Sequence, residues 1–338
     1  MRYFRLVLIF LVLLPFFYSC NKDLKVNADW KEITVVYGLL NQSDDTTFLK
    51  ITKAFLGPGD ALQFAKIPDS STFPDKLDVQ LQEWSGTTLN KTYAFDTITI
   101  RSKAKGDSIF YYPDQLVYFN RTKGQLNENY SYKLVITHKK TGAIDSARTT
   151  LVHAFEVKDP TPYSRIVNYK AGNKFEVKWE TAYGGKRYQL LIRFHYLEIY
   201  DTGHNASRYK SADWLLFNDY QVDDPNLAQE ITRNFEGELF YSFVRSNIKP
   251  LSASPHVTGR TARSVDYIFS VASDDLNTYM DVTEPSQSII QERPSFSNIY
   301  NGIGLFASRY INEIDTLSLA TSTLLELKTD TNTMNLGF

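Results

Sequence analysis

The sequence predicts a mainly β chain of two sandwich domains, the second interrupted by a helical insertion. Three observations carry this expectation. Apolar and polar residues alternate with period two in many short runs, turn clusters of Gly, Pro, Asn and Asp separate those runs, and a proline-rich break divides the chain near its middle.

In the first half, Leu77, Val79 and Leu81 alternate with Asp78, Gln80 and Gln82, the mark of a half-buried strand. Tyr130, Tyr132, Leu134 and Ile136 repeat the pattern, and Glu32–Leu40, Thr46–Leu56, Tyr93–Arg101, Gln115–Asn120 and Ala147–Val157 are further strands by the same reading. The run Lys158-Asp159-Pro160-Thr161-Pro162 removes two backbone donors and holds the chain extended, as a linker does. Beyond it, Phe175, Val177 and Trp179 face one way and Lys174, Glu176, Lys178 and Glu180 the other. Gly184-Gly185 then reads as a hairpin turn into Tyr188, Leu190, Ile192, Phe194 and Tyr196, the opening of an immunoglobulin- or fibronectin-like sheet. Asn226–Asn234 and Glu238–Ile248 carry apolar residues at helical offsets, stopped by Pro250 and Pro255, and Val265–Val271 returns to strand alternation. The expected organisation is therefore a signal peptide at 1–19, a tether at 20–29, a first sandwich at 30–157, and a linker at 158–163. A second sandwich follows at 164–326 with its insertion around 224–250, and a flexible tail at 327–338.

The N-terminus supports a membrane-attached location. Arg2 and Arg5 precede an apolar run from Leu6 to Tyr18, and Ser19-Cys20 follows. That run spans about 20 Å as a helix at ~1.5 Å per residue, short of the ~30 Å a bilayer core needs, so it reads as a signal segment. Cys20 is the single cysteine of the chain, placed directly after the run with small Ser19 before it. This resembles a bacterial lipoprotein signal, which implies diacylglyceryl transfer to the Cys20 thiol and anchoring in the outer membrane. The 37 basic and 38 acidic residues nearly cancel, which removes the electrostatic basis for non-specific nucleic-acid binding.

Catalytic motifs do not assemble. The five histidines show no spacing that puts two imidazoles on one metal, and His195 falls on the polar phase of its strand. Neither a nucleophile elbow nor a Walker loop is present, and Gly302-Ile303-Gly304 reads as a tight turn before a strand. Neither a cofactor nor a metal is expected. Asp223-Asp224 is an acidic pair in a loop, without the spaced oxygens that calcium needs.

Aromatic residues in predicted loops offer the best candidate contact surface: Tyr209, Trp214, Phe217 and Tyr220, with Tyr183 nearby. Packing of the helical insertion onto the second sandwich accounts for them at least as well, and is the favoured reading. Asp followed by Ser or Thr and a small or apolar residue resembles the O-glycosylation signal of Bacteroidota envelope proteins. It occurs with Thr46, Thr97, Ser108, Ser146 and Thr316 as the acceptors.

Two longer runs carry a resemblance. Val35-Val36-Tyr37-Gly38-Leu39-Leu40-Asn41 and Phe296-Ser297-Asn298-Ile299-Tyr300-Asn301-Gly302-Ile303-Gly304-Leu305-Phe306 look like those of a Bacteroidota outer-membrane lipoprotein family without assigned activity. The resemblance implies a lipid-anchored accessory to a TonB-dependent receptor, acting in nutrient capture or receptor assembly. It transfers no catalytic residue. The function expected is non-catalytic binding of a receptor or of a glycan or peptide ligand. An envelope hydrolase acting on glycan or peptide, or a cell-surface adhesin or scaffold, is the alternative.

Overall fold

A computed structural model describes residues 33–54, 63, 65–101, 114–161, 163, 165–201, 207–283 and 295–338. The expected signal peptide, its Cys20, the tether and Ser108 lie outside the described residues.

The first half forms two facing sheets. Strands β1 (Ile33–Leu40), β2 (Thr46–Ala54), β5 (Asp96–Ile100) and β6 (Gln115–Arg121) join in the order β1-β2-β6-β5. Strands β3 (Asp78–Ser85), β4 (Thr88–Ala94), β7 (Ser131–Thr137) and β8 (Ile144–Thr150) join in the order β4-β3-β7-β8. Alternation does the work: Val36, Leu40, Leu49 and Ile51 meet Val79, Leu81, Leu134 and Ile136 in one core, while their sequence neighbours face outward. Glu83 breaks the rule by taking an inward position. Its carboxylate accepts from the Tyr93 hydroxyl at 3.0 Å and the Tyr132 hydroxyl at 2.9 Å, so a buried charge keeps its hydrogen bonds.

The second half repeats the plan with longer strands. Strands β9 (Val157–Asp159), β11 (Lys174–Glu180) and β14 (Glu230–Glu236) run in the order β14-β11-β9. Facing them, β12 (Arg187–Tyr200), β13 (Ser207–Gln221), β15 (Val257–Ala272) and β16 (Gly302–Leu319) run β13-β12-β15-β16, with β10 (Ile166–Val167) alongside the end of β16. Trp179, Tyr188, Phe194, Phe269 and Tyr267 fill this core. Helix α1 (Pro68–Ser71) is a single turn in the first half. Helix α2 (Glu238–Asn247) buries Phe240, Tyr241, Phe243 and Val244 along one stripe. Helix α3 (Asp274–Thr283) is tied to the sheet by Arg187, whose Nε donates to Asn277 at 2.7 Å and whose guanidinium also pairs with Asp281.

One strand belongs to both halves. Gly302–Ser308 of β16 pairs in parallel with β1, and Arg309–Ser318 pairs antiparallel with β15, so a single nine-stranded sheet crosses both cores. The two sequence runs singled out above are partners here, Val36 beside Gly304 and Gly38 beside Phe306. Packing explains their glycines. A Cβ on Gly304, at φ +118, would lie 2.0 Å from the Val36 carbonyl oxygen, and one on Gly38 would lie 2.3 Å from Leu49. Asn298 reinforces the segment by donating to the Phe306 carbonyl at 2.8 Å and accepting from its N–H at 2.9 Å.

Four expectations need correction. Residues 230–236, within the expected helical stretch, form β14, because a full seven-residue register with β11 outweighs a weak helical pattern. Gly184-Gly185 makes no hairpin: β11 and β12 belong to different sheets, and the glycines carry the chain across the core between them. The expected linker at 158–163 already contains part of β9. The cores change over earlier, between Leu151 and Val152. The expected tail is packed. It starts within helix α4 (Thr321–Thr329), and Leu327 and Leu336 are fully buried. Arg260, itself buried and paired with Glu198 at 3.0 Å, donates to the Leu336 carbonyl.

Candidate functional site

The changeover between cores is a hydrogen-bonded seam. Asn312 Nδ2 on β16 donates to the Phe155 carbonyl at 2.8 Å, and the Ser308 hydroxyl donates to the Thr150 carbonyl at 2.7 Å. From the first sandwich, Glu128 accepts the Ala154 N–H at 2.9 Å and the Gln42 amide at 2.8 Å. From the second, the His153 N–H donates to the Tyr183 carbonyl at 3.0 Å. Burial pushes the Glu128 carboxyl up, but the Gln42 and Ala154 donors and the nearby His153 outweigh it and hold the group below the usual glutamate value.

Beside this seam opens a cleft of about 460 Å³, within the size range of small-ligand sites. Three separated segments wall it: 153–156, 180–183 and the loop at 226–228. Phe155 forms the apolar floor, set edge-on to Tyr188, Phe269 and Tyr310. Tyr183 stands at the mouth, 55% exposed, with its ring 4.8 Å from that of His153. Thr181 ties two walls together, donating to the Leu227 carbonyl at 3.1 Å and accepting the Gln229 N–H at 2.9 Å. The Glu180 carboxylate lies 3.7 Å from Lys158. Glu156 is exposed on the lining, and its carboxylate has no hydrogen bond or ion pair among the described residues.

Histidines elsewhere form pairs with carboxylates. His138 Nε2 lies 2.7 Å from Asp145 and 3.2 Å from the Thr34 hydroxyl. One ring nitrogen serves both neighbours, so the imidazole cannot pass a proton from the hydroxyl through the ring to the carboxylate; it locks β1 to the β7–β8 hairpin. His195 Nε2 lies 2.5 Å from Asp266, with Arg193 and Asp213 in a bidentate pair beside them on the outer sheet face. Among the described residues, no group of three or more metal-ligating side chains gathers, and no helix is long and apolar enough to cross a membrane.

No family model matches the chain, and no curated protein matches it. Among solved structures, the chain is similar to the C-terminal globular domain of an oligosaccharyltransferase from Pyrococcus abyssi. The TM-score is 0.26 and the identity 11%, over 71% of this chain and 46% of that one. The chain thus spans less than half of that domain's length.

The sequence-predicted contact residues do not form one surface. They lie on β13, not in loops. Phe217 is buried and stacks on Trp179 at 5.7 Å, Trp214 stacks on Phe243 at 5.5 Å, and Tyr220 meets Trp179 edge-on. Packing therefore accounts for these three, and only Tyr209, 77% exposed, is free for contact. Of the glycosylation candidates, Thr46, Thr97 and Ser146 lie half-buried within strands, and Thr316 is exposed at an irregularity of β16, with φ +60. Sequence reasoning missed His153, Glu128 and Glu156, which no spacing links. Tyr183, singled out as an unpaired loop aromatic, was the one signal available.

Proposed function

We propose that this chain is a lipid-anchored, non-catalytic binding module of the bacterial outer membrane. It is attached through Cys20 and acts beside a TonB-dependent receptor in nutrient capture. The observation that carries the reading is the open cleft at the seam, where an exposed Tyr183, an apolar floor and an unbonded Glu156 converge without a nucleophile set against a base. The strand orders support a pair of immunoglobulin- or fibronectin-like sandwiches. In each half, a four-stranded sheet in the order second-first-third-fourth faces the strands that precede it and those that lie between its second and third members.

The rival, an envelope hydrolase of glycan or peptide, draws on the His195–Asp266 pair, with Ser211 across from His195 on β13. That pair lies on a sheet face with the ring partly exposed, which favours a hydrogen bond that holds neighbouring strands β12 and β15 together. The test is recovery of the native chain from detergent-solubilised outer membrane. A TonB-dependent receptor should accompany it, and Cys20→Ala should abolish both lipid labelling and membrane partition. Hydrolysis of envelope glycan or peptide that is lost in His195→Ala would overturn the reading.

A further inference from the structure

We infer that the seam cleft takes a cationic organic group, an ammonium or guanidinium on a short apolar stem such as a basic peptide side chain. The inference rests on the binding reading above and names the ligand chemistry of the same cleft. Two carboxylates, Glu156 and Glu180, line the cleft, while Glu128, beside His153, and Glu230, beside Lys158, lie beyond its lining. The Lys158 ammonium lies 3.7 Å from Glu180 and 3.3 Å from Glu230, and that of Lys178 lies 2.7 Å from Glu230. Glu128 is spent on the Gln42 amide and the Ala154 N–H. Glu156 is the carboxylate left over, on the lining and in water.

The remaining lining supplies what a cation on a carbon stem needs. The Tyr183 ring is exposed at the mouth, and a cation over an aromatic face is held by the ring's electrostatic field, the more so when desolvated. Phe155 behind it covers an apolar stem. A guanidinium bridging Glu156 would exchange water for charge-assisted hydrogen bonds, the stronger kind. A neutral sugar would use the ring equally well but would leave the Glu156 carboxylate without a charged partner.

The test titrates the full chain with Nα-acetyl-arginine amide and Nα-acetyl-lysine amide by calorimetry, with Nα-acetyl-glutamine amide and a chito-oligosaccharide as comparison ligands. Saturable binding of the basic amides is expected, weakening as salt rises. Affinity should fall about tenfold in Glu156→Gln and in Tyr183→Ala, with unchanged thermal midpoints because both side chains are exposed. Equal binding of the glutamine amide, binding of the sugar that survives Glu156→Gln, or no saturable binding of either basic amide would each overturn the inference. Receptor recovery is scored on the same preparations. A chain that binds arginine amide but recovers no receptor refutes the partner reading alone; a chain that recovers receptor but binds neither amide refutes this inference alone.

Discussion

A methyl group on Gly304 has nowhere to go. The residue sits at φ +118 against the Val36 backbone, so Gly304→Ala combines a conformation that L side chains rarely adopt with a clash that cannot relax sideways. A loss of more than about 3 kcal/mol is expected in urea denaturation, whereas Gly86→Ala, at φ +57 in open space, should cost only about 1 kcal/mol. Glu128 gives a pH dependence of definite sign. Its folded value lies below that of an unfolded glutamate, so its stabilisation is complete above the unfolded value of about 4.3 and is lost as pH falls through the lowered one. The stability advantage of the wild type over Glu128→Gln should therefore be constant near neutrality and shrink below about pH 4. Denaturation midpoints measured from pH 7 down to 3 check this, and an advantage that grows in acid would contradict the assignment.

At the scale of elements, β13 separates two roles along one strand. Trp214 packs between Tyr169, Phe175 and helix α2, so Trp214→Ala should destabilise by about 3–5 kcal/mol. Tyr209→Ala, on the exposed end, should change stability by less than about 0.5 kcal/mol. The C-terminal residues behave as an element too. Removing 331–338 strips Leu336 from the core and takes a carbonyl partner from buried Arg260, so the truncated chain should lose several kcal/mol, read as a lowered thermal midpoint. Much of the element content was legible in the sequence, because alternation at Leu77–Gln82 or Phe175–Trp179 reports burial directly. Sheet membership was not: Gly184-Gly185 reads alike as a hairpin turn or a crossing between sheets, since both need tight backbone. The cleft was illegible for the same reason. His153, Tyr183 and Asn226 come together only once three strand ends have been assigned to their sheets.

At the scale of the molecule, the seam predicts mechanical unity. Ser308 donates its hydroxyl to the Thr150 carbonyl and its N–H to the Ser273 hydroxyl, and its carbonyl accepts the Ser273 N–H, at the point where β16 passes from one core to the other. Calorimetry of the wild type should give one cooperative transition. Ser308→Pro, which removes the N–H and the hydroxyl together, should split it into two. Two resolved transitions in the wild type would show that the shared strand does not couple the cores.

The parallel pairing of β1 with β16 also imposes an order on biogenesis. Thr34 and Gly302 are register partners, yet most of the described chain is made between them. The first half, although it emerges first, cannot be completed until β16 is made, and until then β1 has a bare edge ready to pair with any passing strand. A chain cut short anywhere before residue 302 would keep that edge open, which makes the nascent N-terminal half a natural client for chaperones and a marker by which unfinished copies can be told from finished ones.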